Sequence, residues 1–350
     1  MSGELAGDTV VVSDQKEGNQ LYNRGNYGYP RRGGGLDLDL AEATYLLESS
    51  RIEVSQNGSP LTFEELFNHS SSVLEGFDIK YMVYRDMRQR GFVVKVESGG
   101  FDMSVFPRGK TMSDSRPIYM VRAASERTAF DIGTFSGEVS ETAAKGKQLL
   151  YGVVDEEGDL TYYNMSVRDP RGEAPVLPIE GKAAGRLIRD RVFVFSKEEA
   201  ERIRAAGFYG KMLNNILQLS IIESCFLMRE GALDVVSSET GAAMSSQDLV
   251  DFGRASQDEF DIRLRAFEDL RRRGLVVKTG FKYGTHFRVY ERSPDDCHAR
   301  YLVHAVSASN VAMWPEISRT VRLSGGVKKE ILFCRVSEGT EYLEFRWFRP

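Results

Sequence analysis

The sequence is poor in cysteine and in long apolar runs, and each shortage argues against a class of protein. Its three cysteines, Cys225, Cys297 and Cys334, form no CxxC pair and cannot all pair with one another, which argues against a disulfide scaffold and a thiolate zinc site. No stretch approaches the roughly 20 apolar residues that span a bilayer. Residues 1–14 lack the basic start and continuous apolar core of a signal peptide. We therefore expect a soluble, cytoplasmic protein with no membrane partner.

An excess of positive charge is also missing. The 46 lysines and arginines face 51 aspartates and glutamates, which gives a net charge of −5. Proteins that coat nucleic acid nonspecifically are normally basic, so any nucleic-acid binding here would depend on a local patch and on shape. A length of 350 residues with 41% hydrophobic side chains is enough for two domains or a tandem pair with a buried core.

The chain repeats itself. Phe77 and Phe260 open similar segments 183 residues apart, and Gly91 and Gly274, which follow those segments, have the same separation. Three pairs of segments match in the same order: 38–46 with 219–227, 77–95 with 260–278, and 118–121 with 300–303. Three matches at nearly one offset indicate a duplication.

Each repeat combines a helical part with a strand-rich part. Apolar residues at helical spacing occupy 41–47 and 216–228, and a further helix in each repeat is expected to end at Gly91 or Gly274, just past an arginine-rich last turn. A helix is predicted over 314–323. The β-branched and aromatic runs that predict strands are Val276–Thr279, His286–Glu291, Tyr301–Val306, Ile331–Val336 and Tyr342–Phe348.

The fold class is therefore α+β, a tandem duplication in which each repeat has a helix-rich α/β N-terminal subdomain and a mixed-sheet subdomain. A segment containing three prolines separates the repeats and is predicted to be a linker. The predicted boundaries are 1–95 and 96–168 for the first repeat, 169–190 for the linker, and 191–275 and 276–350 for the second repeat.

The second repeat carries long ordered strings of residues. These are Val276–Gly284, Phe287–Tyr290, His298 ahead of Tyr301–Val303, and Val321–Leu323 ahead of Val327–Lys329. This part of the chain resembles the archaeal tRNA-splicing endonucleases, and the duplication resembles their homodimeric type, in which one repeat is active and the other degenerate. The strand-rich subdomains would then be catalytic in the second repeat and catalytic-like in the first.

The resemblance implies a catalytic set of Tyr290, His298 and Lys329 and a reaction that needs no metal and no cofactor. The ribose 2′-hydroxyl attacks the adjacent phosphate and leaves a 2′,3′-cyclic phosphate and a 5′-hydroxyl. Tyr290 would be the base, His298 the acid, and Lys329 the charge that stabilises the phosphorane. Lys328 is the alternative lysine, but the family places its lysine directly before an apolar strand, which fits Lys329.

The two proton-transfer groups differ in how well they suit their roles. An imidazole with an ordinary pKa of about 6.5 exchanges protons near neutrality, whereas a phenol with an ordinary pKa of about 10 is ionised in only about one molecule per thousand at pH 7. We expect a nearby ammonium, that of Lys329, to lower the pKa of Tyr290.

The first repeat serves as an internal comparison. At the repeat offset the catalytic positions fall on Pro107, Arg116 and Lys147, so the proton-transfer pair is missing and this copy is expected to be inactive. It has instead an acidic turn. By resemblance this turn holds a homodimer together by entering a basic pocket across the interface, although a solvated turn is the ordinary interpretation. Its acidic residues are Asp155, Glu156, Glu157 and Asp159.

The resemblance implies that the substrate is precursor tRNA containing a bulge–helix–bulge, cut once in each bulge. Unpaired bulge nucleotides expose the base edges that a double helix hides. Arg322 and Trp347 match the family positions that stack on bulged bases. For Trp347, packing within a terminal strand is the alternative, and Arg346 or Arg349 is the candidate if the register is off.

Three functions compete on these observations. The first is a metal-independent RNA endonuclease that removes tRNA introns as a homodimer. The second is a non-catalytic RNA-binding subunit, which the intact catalytic set argues against. The third is a metal-dependent nuclease. Such enzymes commonly need a Glu-x-Lys on neighbouring strands, and the one Glu-x-Lys noted here, Glu180–Lys182, lies in the predicted linker. Cys297, His298 and His304 form no plausible metal site, because adjacent residues do not readily share one ion.

Overall fold

The computed structural model describes residues 1–174 and 179–350. Part of the predicted linker, residues 175–178, lies outside the described residues. The chain forms two N-terminal subdomains, each built on its own six-stranded sheet, and a single ten-stranded sheet to which both repeats contribute. The duplication and the α+β class are confirmed.

The first N-terminal subdomain is a mixed sheet with three helices. The helices are α1 (Gln15–Gly25), α2 (Leu40–Glu48) and α3 (Phe63–Val73). The strands are β1 (Ser2–Ala6), β2 (Thr9–Val12), β3 (Tyr29–Pro30), β4 (Leu36–Asp39), β5 (Glu53–Gln56) and β6 (Ser59–Pro60). Their order in the sheet is β3-β4-β2-β1-β5-β6, with β1 parallel to β5.

The rest of the first repeat begins with α4 (Phe77–Gln89) and also contains α5 (Ile132–Ala144). Gly91 follows α4 with φ 86°, a left-handed conformation that ends a helix at little cost in glycine. The predicted helix end is therefore confirmed. The strands are β7 (Val94–Val96), β8 (Met103–Val105), β9 (Tyr119–Ser125), β10 (Ala129–Asp131), β11 (Gln148–Val154) and β12 (Leu160–Arg168).

The second N-terminal subdomain repeats the order of the first, β15-β16-β14-β13-β17-β18. Its helices are α6 (Lys197–Gly207), α7 (Ile221–Arg229) and α8 (Ser246–Ser256). Its strands are β13 (Ala183–Ile188), β14 (Arg191–Val194), β15 (Lys211–Leu213), β16 (Ile216–Ser220), β17 (Leu233–Ser237) and β18 (Ala243–Met244). Strand β13 lies inside the predicted linker 169–190 and pairs with β14 and β17.

The expected helix over 216–228 begins later than predicted. Residues 216–220 form β16, in which Leu217 and Leu219 are buried and Gln218 between them is less so. The Ser220 hydroxyl then accepts from the backbone N–H of Glu223, and the Glu223 carboxylate accepts from that of Ser220. This reciprocal pair starts α7 at Ile221.

The second repeat ends with the elements that the sequence predicts most closely. They are α9 (Phe260–Arg272), β19 (Val276–Thr279), a 3₁₀ turn (Phe281–Tyr283), β20 (Phe287–Tyr290), β21 (Tyr301–Ser307), β22 (Val311–Met313), α10 (Trp314–Gly326), β23 (Glu330–Val336) and β24 (Thr340–Phe348). All five predicted strands are present with ends within two residues, and α10 continues three residues past its predicted end.

The ten-stranded sheet runs β19-β20-β21-β23-β24-β12-β11-β9-β8-β7. The repeats meet where β12 pairs antiparallel with β24, and Met165 lies opposite Phe345. These two residues are 180 apart, as are the starts of the two strands. The register is therefore unchanged when the repeats are exchanged, which places an internal pseudo-twofold axis at this pair. Strand β10 pairs with β22 in a separate two-stranded sheet.

Helices cover both faces of the large sheet. α4 and α9 pack on one face, and α5 and α10 pack on the other. Beneath α5 and α10 lies an apolar cluster to which both repeats contribute, including Phe130, Phe135, Trp314 and Phe345. Because this cluster crosses the pseudo-twofold axis, the strand-rich subdomains of the two repeats share one hydrophobic core beneath these helices.

Candidate active site

The three predicted catalytic residues lie at one edge of the large sheet. Tyr290 ends β20, His298 lies in the loop between β20 and β21, and Lys329 immediately precedes β23. β20 runs antiparallel to β21, and β21 runs parallel to β23. The end of β20 and the starts of the other two strands therefore meet at the same edge.

Ala299 connects these residues. It follows His298 in the chain and belongs to a small buried cluster with Tyr290, Val276 and Ala174. The ammonium of Lys329 donates to the carbonyl oxygen of Ala299 over 2.8 Å. The residue next to His298 thus shares a buried cluster with Tyr290 and accepts a hydrogen bond from Lys329.

His298 is exposed, and the loop before it is closed by local hydrogen bonds. The backbone N–H groups of Asp296 and Cys297 both donate to the carbonyl oxygen of Ser293 over 3.1 Å, and the Ser293 hydroxyl accepts from the N–H of Asp295. These bonds fix where the loop returns to β21. An exposed imidazole on an anchored loop is accessible to a substrate.

The expectation for the pKa of Tyr290 was wrong in direction. Burial raises the pKa of Tyr290 above its ordinary value, and the Arg288 guanidinium opposes that effect. The guanidinium carbon of Arg288 lies 5.8 Å from the centre of the Tyr290 ring. Lys329 does not lower this pKa, because its ammonium is held at the Ala299 carbonyl, where it faces the ring of Tyr283 at 5.9 Å.

A groove of about 550 Å³ joins Lys329 to the two predicted base-stacking residues, Arg322 and Trp347. Arg322 is exposed on α10. The Trp347 side chain is 48% exposed, which argues against a purely packing role in its strand. Both alternatives for Trp347 are close by, because Arg346 lines the groove and the Arg349 guanidinium lies 4.2 Å from a Trp347 ring centre.

A second pocket, of about 580 Å³, lies between the second N-terminal subdomain and the catalytic strands. It is lined by Tyr290 and by several cations, which include Arg204, Lys211, Lys278 and Arg288. Lys278 and Arg288 face each other across β19 and β20. Sequence reasoning did not identify this pocket, because its cations come from six separate elements.

Lys278 is a partly buried residue of that pocket and has a counterpart in the first repeat. Its ammonium donates to the Gly210 carbonyl at 2.8 Å and lies 3.6 Å from the Glu223 carboxylate. Burial lowers the pKa of Lys278, an effect that Glu223 opposes. In the first repeat Lys95 pairs with Glu42 at 2.8 Å. The duplicated segments 77–95 and 260–278 both end on these lysines, which was the available sequence signal.

Within residues 1–174 and 179–350, no group of three or more histidine, cysteine, aspartate or glutamate side chains could hold a metal ion. No helix of the described part of the chain is long and apolar enough to cross a membrane.

Two family models match the chain, and each matches it twice. The tRNA intron endonuclease N-terminal domain matches residues 1–67 and 183–250. The tRNA intron endonuclease catalytic C-terminal domain matches residues 77–162 and 260–343. The chain belongs to the tRNA intron endonuclease family. Both catalytic matches begin at the first residues of α4 and α9, helices that the sequence-based boundaries assign to the N-terminal subdomains.

Relatives of full length support the same assignment. The tRNA-splicing endonuclease of Methanosarcina acetivorans is 36% identical over 98% of each chain, and that of Methanococcoides burtonii is 34% identical over 98% of each chain. The tRNA-splicing endonuclease of Halobacterium salinarum is 32% identical over 99% of this chain and 98% of its own. The chain is thus an enzyme of the tRNA intron endonuclease type with archaeal homologues.

Strand pairing corrects one equivalence between the two repeats of this tRNA intron endonuclease. Val105 pairs with Tyr119 as Val289 pairs with Tyr301, so the position of Tyr290 falls on Phe106 and not on Pro107. Phe106 is buried and cannot ionise. Gln148 pairs with Tyr119 in the first repeat as Glu330 pairs with Tyr301 in the second. Arg116 therefore remains the equivalent of His298, and Lys147 remains the equivalent of Lys329.

The acidic turn of this family member is the exposed hairpin between β11 and β12. The Asp155 carboxylate accepts from the backbone N–H groups of Glu157 and Asp159 at 3.0 and 2.9 Å, which closes the turn. Glu156 pairs with Arg127. Among the described residues, Glu157 and Asp159 form no ion pair, so their carboxylates are free to meet another surface.

Proposed function

We propose that the chain cuts precursor tRNA at both splice sites of a bulge–helix–bulge, without a metal ion, and leaves 2′,3′-cyclic phosphate and 5′-hydroxyl ends. The observation that carries this proposal is that Ala299 shares a buried cluster with Tyr290, accepts a hydrogen bond from Lys329 and directly follows His298 in the chain. A phenol, an imidazole and an ammonium together supply what the reaction requires: a base, an acid and a positive charge.

Each group has one role in the proposed step. Tyr290, in its ionised form, accepts the proton of the 2′-hydroxyl while the O2′–P bond forms. His298, in its protonated form, donates a proton to the 5′-oxygen as the P–O5′ bond breaks. The Lys329 ammonium offsets the negative charge that develops on the phosphorane oxygens. The cyclic phosphate keeps the original phosphorus, and no water or oxidant is consumed.

The groove beside Lys329 supports the recognition of unpaired nucleotides. Arg322 and Trp347 present a guanidinium and an indole face to the same space as Lys329. Each such face can stack on a base, at about 1–3 kcal/mol per base. A splayed base held there would keep its phosphate within reach of the ammonium, and a flexible bulge can adopt the in-line geometry that a paired stem cannot.

A homodimer follows from the inequality of the repeats. Only the second repeat has all three side chains, because Phe106 and Arg116 replace the tyrosine and the histidine in the first. Two splice sites therefore require two chains. The pocket beside Tyr290 is lined by six lysines and arginines and three acidic residues, so its net charge is complementary to the free carboxylates of Glu157 and Asp159. We therefore place the acidic turn of one chain in that pocket of its partner.

The test is product-end analysis on an RNA with paired bulges in the presence of EDTA. Cleavage at both bulges with cyclic-phosphate and 5′-hydroxyl ends is the expected result. Cleavage that requires added Mg²⁺ or leaves 5′-phosphates would support a metal-dependent nuclease. RNA that is bound but never cut would support a non-catalytic subunit.

A further inference from the structure

The 3₁₀ turn between β19 and β20 presents a phenylalanine to solvent. Phe281 is 86% exposed, the highest value among the large hydrophobic side chains of the described residues. The next residue, Lys282, is also exposed, and within the described chain it forms no ion pair. An apolar ring and an unpaired ammonium thus lie side by side in water.

The turn that presents these side chains is rigidly built. The backbone N–H of Tyr283 donates to the Gly280 carbonyl at 2.7 Å, and that of Phe281 donates to the Thr279 hydroxyl at 3.3 Å. A Cβ at Gly280 would lie 2.3 Å from the hydroxyl oxygen of Thr285, so the backbone packs too tightly there for any other residue. The backbone at Phe281 is thus fixed before any ligand binds, which lowers the entropy cost of a contact.

The turn also lies beside the catalytic edge. Tyr283, its last residue, packs partly against the apolar cluster under α10. The Tyr283 ring faces the Lys329 ammonium at 5.9 Å. Phe281 therefore lies two residues before Tyr283, the side chain that faces the proposed phosphate-stabilising ammonium of Lys329.

The first repeat lacks this feature. The corresponding loop between β7 and β8 contains Glu97 and exposes Ser98, Gly99 and Gly100, and its aromatic residue, Phe101, is buried. At this loop, an exposed ring with a neighbouring exposed lysine thus occurs only in the repeat that has the tyrosine and histidine of the catalytic set. A feature required only for folding would not need to differ in this way.

We propose that the Phe281–Lys282 turn is an RNA-binding element of the catalytic repeat, in which the Phe281 ring stacks on an unpaired base next to the scissile phosphate and Lys282 contacts a backbone phosphate. The inference rests on the proposed function, because it takes RNA as the substrate. Aromatic rings bind unpaired bases of any sequence, and an adjacent lysine adds a salt-dependent phosphate contact.

The experiment measures RNA affinity with cleavage blocked. In a His298→Ala background, the full chain is titrated into an RNA with paired bulges that carries 2-aminopurine at an unpaired position beside the splice site. Phe281→Leu should weaken binding by roughly 5- to 150-fold and remove the fluorescence quenching that stacking causes. Phe281→Tyr should retain both, and Lys282→Gln should lower the slope of log affinity against log salt by about 1.

Phe195→Leu is the matched control, since Phe195 is another exposed phenylalanine but lies in the second N-terminal subdomain. Unchanged affinity and quenching in Phe281→Leu would overturn the inference, as would a change in sedimentation with unchanged RNA affinity, which would assign the ring to a protein interface. A wild-type chain that cuts this RNA while Phe281→Leu binds normally would leave the proposed function intact and remove only this inference.

Discussion

At the scale of single residues, the site is defined by which cation faces which ring. Burial raises the pKa of Tyr290, and the cation that opposes this effect is Arg288. Lys329 is turned instead toward the Ala299 carbonyl and Tyr283. The cation that lies beside the phenol ring is therefore the guanidinium of Arg288, and not the ammonium of Lys329. Sequence strings identified the catalytic candidates, but they could not show which neighbouring cation would face each of them.

Two half-buried histidines should make the free energy of unfolding depend on pH. His286 and His304 stack with ring centres 4.4 Å apart, and the backbone N–H of Ala305 donates to Nδ1 of His286. Burial, with smaller contributions from His304 and Arg263, lowers the pKa of His286 to about 3. Burial also lowers the pKa of His304.

The sign follows from proton uptake on unfolding. Below the ordinary histidine pKa of about 6.5 the unfolded chain binds protons that the folded chain does not, so the free energy of unfolding should fall as pH drops from about 6.5 toward 3. The slope is up to about 1.4 kcal/mol per pH unit for one histidine. Urea unfolding from pH 7 to pH 4.5 should be less pH-dependent in His286→Gln than in the wild type. Equal pH dependence in both proteins would show that the pair does not titrate in this way.

At the scale of elements, the sequence predicted the catalytic strands better than the N-terminal sheets. Dense β-branched and aromatic runs mark β19, β20, β21, β23 and β24, whereas several N-terminal strands have two to five residues and give little periodic signal. The apolar pattern of residues 216–220 fits both the helical and the strand period, and the Ser220–Glu223 capping box decides where the helix begins. The equivalent of Tyr290 moved from Pro107 to Phe106 because the loop before β8 is one residue shorter than its counterpart before β20. A constant sequence offset between the repeats cannot represent such a deletion.

The two subdomains of each repeat are joined by a lysine–glutamate pair, which is buried in the first repeat and partly buried in the second. Glu42 is fully buried and Lys95 is 4% exposed, with 2.8 Å between their charged groups. Glu42→Gln would leave the Lys95 ammonium buried without a countercharge and should lower the free energy of unfolding by about 3–5 kcal/mol. Denaturant unfolding measures this directly.

The second repeat supplies the matched control. Lys278 is more exposed than Lys95 and lies 3.6 Å from Glu223, so Glu223→Gln should cost less than Glu42→Gln. Equal losses in the two variants would contradict the dependence on burial and distance.

At the scale of the whole molecule, the pseudo-twofold pairing of β12 with β24 gives one chain two catalytic-type halves but one complete set of catalytic candidates. Arg168 reinforces the junction, since it pairs with Glu330 and Glu344 of the other repeat at 2.8 and 2.7 Å. The duplication was readable from sequence offsets. The continuous sheet was not, because antiparallel pairing between the two last strands is a long-range contact with no local signal.

The proposed dimer can be tested at the acidic turn. Glu157→Lys combined with Asp159→Lys would place lysines opposite the cation-lined pocket. Juxtaposed like charges cost several kcal/mol, so the dissociation constant of the dimer should rise by about 100-fold or more. Analytical ultracentrifugation across a concentration series measures that constant.

Glu338→Lys is the matched control, because Glu338 is exposed in the corresponding β23–β24 hairpin of the second repeat. A double variant that sediments like wild type would rule out the acidic turn as the contact.

The most direct measurement of the central claim is the single-turnover cleavage rate of two substitutions at equivalent positions in the two repeats. His298→Ala removes the proposed acid from the second repeat, and Arg116→Ala changes the matching position of the first. A catalytic set confined to the second repeat predicts that His298→Ala slows the chemical step by about 100- to 10,000-fold at saturating enzyme, while Arg116→Ala cuts both bulges at the wild-type rate. Wild-type cleavage by His298→Ala, or an equal loss in both variants, would contradict it.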